Sequence, residues 1–141
     1  MTKDQDVVDL IENRVRKVWQ RFADQDPEGM LNLLHPDCTI WDIFQPDLVT
    51  RQEIESYVQE DFSQSAARGP LTYRIHPMTT TVWGDASICR FLLQFKYAPP
   101  NPTAGTGRIT CVLRNFPDEG WLLVHVHEGH VPDGIPPIEK S

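Results

Sequence analysis

Near the start of the chain apolar residues return at helical spacing. Val7, Val8, Ile11, Val15, Val18, Trp19 and Phe22 form one stripe, and Glu12, Arg14, Arg16, Lys17 and Arg21 fall mostly off it. This predicts a long amphipathic helix over residues 5–24. In DQDPEGMLNLLH, Asp26 suits an N-cap and Pro27 the first helical position. A short second helix should therefore carry Met30, Leu31, Leu33 and Leu34 and stop near His35, ahead of Pro36. The β-branched and aromatic stretch CTIWDIF, residues 38–44, predicts a strand bounded by Pro36 and Pro46. Thr50-Arg51-Gln52-Glu53 spells a capping box, opening a third helix whose buried stripe is Ile54, Tyr57, Val58 and Phe62.

Past the break SQSAARGP the period shifts from helical to alternating. Residues 71–83, 86–97, 106–116 and the closing WLLVHVHE read as strands, joined by a Gly84-Asp85 turn, the loop APPNPTAGTG and a Pro117–Gly120 turn. Helices come first, with one short strand among them, and an antiparallel meander follows. That order predicts the α+β class, with helices covering one face of a curved sheet. The proline-rich tail VPDGIPPIEKS reads as extended.

Composition narrows the function. A chain of 141 residues with 40% hydrophobic content fits one domain, residues 1–141, able to bury a real core. Thirteen basic against 20 acidic residues leave a charge of −7, which opposes the phosphate neutralisation that nucleic acid or an anionic membrane would require. No long uninterrupted apolar run predicts a membrane span, and a cytoplasmic location is expected. Cys38, Cys89 and Cys111 are odd in number and form no C-x-x-C pair, so they read as small buried hydrophobes in a reducing compartment.

Candidate chemistry concentrates in WLLVHVHEGH, residues 121–130, which holds three of the five histidines. Strict alternation puts Trp121, Leu123, His125 and His127 on one side and Leu122, Val124, Val126 and Glu128 on the other. Both sides are largely apolar, so one is expected to meet the helices and the other a second subunit. Apolar neighbours favour neutral imidazole, able to donate and accept protons. Asp42 is the other polar residue in an apolar setting, sharing a side with Ile40 and Phe44. Two readings stand for it: a general base tuned by partial burial, or a residue that caps a turn or pairs with an arginine. The histidines are equally open to a structural role, bonded to backbone carbonyls. His125, His127, His130 and Asp42 hold metal-ligating atoms, but H-x-H is a weak signal and HEGH lacks the spacer of H-E-x-x-H, so no metal site is expected. No G-x-S-x-G or active-cysteine context supports a nucleophilic triad.

The two leading helices, HPDCTIWDIFQPDLVTRQEIESYV, the meander and the final WLLVHVHEGH together resemble the nuclear transport factor two-like superfamily over residues 7–131, in its SnoaL-like and ketosteroid-isomerase-like branch. The pattern is also similar to the association domain of calcium/calmodulin-dependent kinase, a non-catalytic oligomer of that superfamily. The resemblance implies a cone of three N-terminal helices against a curved antiparallel sheet, with a deep apolar pocket open at one end, usually in a homodimer. Asp42 falls where ketosteroid isomerases carry the aspartate that shuttles a proton. By the same matching, His125 and His127 project into the pocket, and Trp19, Phe44, Tyr57, Phe91 and Leu93 are wall or plain core. The chain departs from the isomerases at the oxyanion hole. Val18 beside Trp19 stands where a tyrosine is needed, and Thr106 to Leu113 lacks the protonated acid.

Two function classes follow. One is a cofactor-free acid–base enzyme, an isomerase, dehydratase or cyclase acting on an apolar carbonyl compound, with Asp42 as base and His127, helped by His125, as acid. The other is a non-catalytic ligand-binding or oligomerisation module. Either takes as partners a small apolar molecule and a second copy of the chain.

Overall fold

The computed structural model describes residues 3–43, 46–63, 70–99 and 103–131; the side chains of Lys3, Tyr57, Val58 and residues 61–63 lie outside that description. In chain order the elements are α1 (Lys3–Ala23), α2 (Pro27–Leu31), β1 (Leu34–Trp41), β2 (Val49–Thr50), α3 (Arg51–Ser63), β3 (Leu71–Ile75), β4 (Thr79–Trp83), β5 (Ala86–Tyr97), β6 (Thr103–Phe116) and β7 (Gly120–His130). The architecture is α+β, three helices over a large curved sheet.

Helix α1 follows its stripe. Ile11, Val15, Val18 and Trp19 are buried, and Asp4 and Asp6 in the first turn and Arg21 in the last suit the helix dipole. It packs across β3, β4, β5 and β7. Helix α2 starts as expected, its Asp26 carboxylate accepting the Gly29 N–H at 3.0 Å, but it ends at Leu31. The Leu123 N–H donates to Leu33 O at 3.0 Å and Leu34 pairs with Leu123, so pairing to the final strand draws Leu34 into β1. Strand β1 thus begins earlier than CTIWDIF and takes up His35-Pro36-Asp37 as an irregularity between Leu34 and Thr39. It ends at Trp41, leaving Asp42 just past the strand. The predicted strand 71–83 splits in two at His76-Pro77-Met78, because Pro77 has no N–H for a ladder. Its halves pair with opposite ends of β5.

The sheet runs β2-β1-β7-β6-β5-β3, with β4 also beside β5. All neighbours are antiparallel except β1 and β7, so the sheet is mixed rather than wholly antiparallel. The connection from β1 to β7 passes through α3 and the whole meander, long enough for a parallel return.

One irregularity decides which side chains face inward. Leu113 pairs with Leu123 and Val112 with His125, so Val124 is an extra residue in β7. Trp121, Leu123 and Val126 consequently join one buried cluster with Ile11, Val15 and Ile54 under the helices. His125 and His127 are turned to the outer face, against the alternation expected from Trp121. The cysteines are deep in the same core, with Cys89 opposite Cys111. Burial pushes the Cys38 thiol up to about 12 and the Cys111 thiol well above its ordinary value, so neither is a nucleophile at neutral pH. Among the described residues no helix is long and apolar enough to cross a membrane.

Candidate functional site

Helices and the inner sheet face enclose a cavity of about 130 Å³. Its walls are mostly apolar and aromatic, with Trp19, Phe22, Tyr73, Leu93, Phe95 and Ile109 among them. Two carboxyl groups reach it, Asp42 and Glu128. Their neighbourhood follows from register. Ile40 of β1 lies beside Val126 of β7 in a parallel pair, both residues line the cavity, and the next inward residue along each segment is the acid.

Glu128 is held by the segment that carries its neighbour. The backbone N–H of Ile43 donates to Glu128 Oε1 at 3.2 Å. Burial and the negative charge of Asp42 push the Glu128 carboxyl up to about 8, against the opposing pull of the Ile43 N–H. The shift favours the protonated form of Glu128 toward neutral pH. Oε1 accepts the Ile43 N–H, which favours a proton on Oε2. The cavity therefore holds two neighbouring carboxyl groups, one of them with its pKa raised, a pairing suited to taking a proton at one point and donating a hydrogen bond at another.

The expected site residues divide. Asp42, Trp19 and Leu93 line the cavity. Phe91 is core behind the wall, edge-on to Trp19 with ring centroids 5.2 Å apart. Phe44 and the side chain of Tyr57 fall outside the described residues. His125 and His127 are not brought together with Asp42. His125 Nδ1 is 2.8 Å from Thr39 Oγ1, and His127 meets Trp41 edge-on at 6.0 Å, both on the outer face. The extra residue at Val124 is the cause of this reversal. Glu128 takes their place, and like Asp42 it is a carboxylate ending an apolar strand, which is costly unless paired or used.

A helical layer over a strongly curved sheet, with a cavity between them, is the architecture of the nuclear transport factor two-like proteins, and solved structures match it over most of their length. An NTF2-like protein of unknown function from Pseudomonas putida aligns with a TM-score of 0.76 at 18% identity, covering 89% of this chain and 87% of that one. A candidate dehydratase of the NTF2-like family from Streptomyces avermitilis aligns with a TM-score of 0.78 at 17% identity, covering 92% and 99%. A candidate calcium/calmodulin-dependent kinase II association domain from Xanthomonas campestris aligns with a TM-score of 0.70 at 18% identity, covering 94% and 91%. At these identities the likeness is one of fold. Within that class, the chain belongs to the SnoaL-like domain family, whose model matches residues 11–133. No curated protein matches the sequence at a significant level.

Proposed function

We propose that the protein is an acid–base enzyme of isomerase, dehydratase or cyclase type, acting on a small apolar carbonyl compound. Asp42 is the base and Glu128 the acid. The observation that supports this is the adjacency of Asp42 to a buried carboxyl whose ionisation is pushed up, inside an apolar cavity. Asp42 removes the proton from the carbon next to the carbonyl. Glu128 Oε2 donates to the carbonyl oxygen as negative charge develops there, where apolar walls strengthen the hydrogen bond. The protonated acid that the isomerase-like chemistry needs, absent from Thr106 to Leu113, comes on this reading from the last strand. His127 and His125 have no part in it, and the proton inventory needs no cofactor. A shared fold with the candidate dehydratase of Streptomyces avermitilis agrees with this class of chemistry.

The test uses a benzisoxazole, a carbon acid that reports a buried base by opening its ring. Asp42→Asn should lower the protein-accelerated rate by about a hundredfold or more, with the melting temperature retained. An undiminished rate in that variant would show that Asp42 is not the base.

A second element of the proposal is a homodimer formed through the outer sheet face. Trp41 and Leu92 remain 44% and 43% exposed there, large apolar groups that a second copy would cover.

A further inference from the structure

Glycine inside a strand is destabilising, since it adds chain entropy to the unfolded state and packs nothing, so a buried strand glycine requires a reason. Three ordinary reasons are backbone conformation, a neighbour that fills the space of a Cβ, and close backbone approach. Gly105 of β6 has the second. A Cβ there would come within 3.0 Å of Phe95 Cζ, because the ring of its cross-strand partner lies over it. Gly107, the next inward residue, has the second only in a milder form, against the tip of a flexible side chain rather than a ring. It is absent from the positive-φ positions, which among glycines are Gly84 and Gly120. A Cβ at Gly107 would meet Ile109 Cδ1 at 3.3 Å, Ile43 Cδ1 at 3.5 Å and Gly129 O at 3.8 Å. The two nearest are tips of flexible side chains, and the backbone oxygen is at ordinary contact. Alanine would fit once the Ile109 tip gives by a few tenths of an ångström, and a β-branched valine favours the strand.

What a side chain at 107 would remove is cavity space. Gly107 is buried and lines the cavity. It touches the place where the acids are set, since Ile43, whose side chain a Cβ would meet, also holds Glu128 through its backbone N–H.

We propose that Gly107 is the size-determining position of the site: the space left by its missing side chain receives the ligand's flank beside the reacting carbon. The cavity thereby accepts ring-fused or branched carbonyl compounds that a valine here would turn away. This rests on the cavity being the ligand site but not on the roles given to Asp42 and Glu128.

The probes are phenol and β-naphthol, which share a hydroxyl and differ by one fused ring. Their binding to the wild-type protein, Gly107→Ala and Gly107→Val is measured by calorimetry. The preference for β-naphthol over phenol should fall by about tenfold or more in Gly107→Val, which fills the space of three carbons, and by less in Gly107→Ala, which fills that of one. Melting temperatures at or above that of the wild type would accompany it and exclude a general loss of structure. A preference unchanged within about threefold in a folded valine variant overturns the inference and leaves the acid–base reading standing. Binding of neither probe to the wild type overturns both. A shifted preference combined with an undiminished benzisoxazole rate in Asp42→Asn keeps the inference and removes the acid–base reading.

Discussion

At the scale of single residues, the late ionisation of Glu128 has a consequence for stability as well as for chemistry. In the unfolded chain its carboxyl ionises near the ordinary 4.5, in the folded protein only near about 8. Between those values the folded state holds a proton that the unfolded chain releases, so the folded state is progressively disfavoured as pH rises through the window. The melting temperature should decline from about pH 5 to about pH 8 and then level off, and Glu128→Gln, which cannot ionise, should flatten that decline. A variant retaining the wild-type slope would place its cause elsewhere. Activity depends on the same ionisation but in a different pH range. Glu128 acts as an acid only while protonated, so kcat/KM should fall above about pH 8 in the wild type. Asp42 is legible in the sequence because it is polar where its neighbours are apolar. Glu128 obeys the same rule at the end of WLLVHVHE, whereas counting faces from Trp121 leads to His125 and His127 instead.

At the scale of elements, the reason for that divergence is the extra residue in β7. Valine is as good a strand former as its neighbours, and nothing in LLVHV marks Val124 as unpaired. A bulge is fixed by the partner strand, here the pairing of Leu113 and Val112 with Leu123 and His125. Parity along a strand is consequently a property of the sheet, and one such residue moves every side chain beyond it to the opposite face. The parallel pairing of β1 with β7 is equally non-local. Local signals fare better: the start of α2 at Pro27 and that of α3 at Arg51 both follow from their capping residues. At α3 the Thr50 hydroxyl donates to Glu53 Oε1 at 2.9 Å and accepts the Glu53 N–H at a long 3.4 Å. Helix α3 brings Ile54 to the cavity wall, so its first turn supports the site. Thr50→Ala should lower the urea-unfolding free energy by about 1 kcal/mol. A change well under half of that would mean that the cap is solvated away and α3 is held by Ile54 alone.

At the scale of the whole molecule, charge is distributed unevenly. The chain carries −7, yet the outward positions of β5 and β6 hold Arg90, Lys96, Arg108 and Arg114, and among the described residues no acid faces out from β5, β6 or β7. Arg114 is partnered by Asp85 at 2.7 Å, and Arg90 donates to the neutral Thr81 Oγ1 at 2.7 Å. If two copies meet through this face, their apolar groups attract while their arginines and lysines repel. The first effect depends little on salt at moderate concentration, and the second is screened once the Debye length shrinks below the spacing of the charges. The proposed dimer should therefore tighten as salt rises from about 50 mM to about 500 mM, the reverse of an interface held by ion pairs. Sedimentation equilibrium across that range measures it, and Trp41→Ala combined with Leu92→Gln should yield monomer throughout. Both substitutions remove apolar contact without adding a charge that could pair with the arginines. A wild-type protein that is monomeric at every salt concentration, or a double variant of unchanged mass, would mean that Trp41 and Leu92 do not hold two copies together.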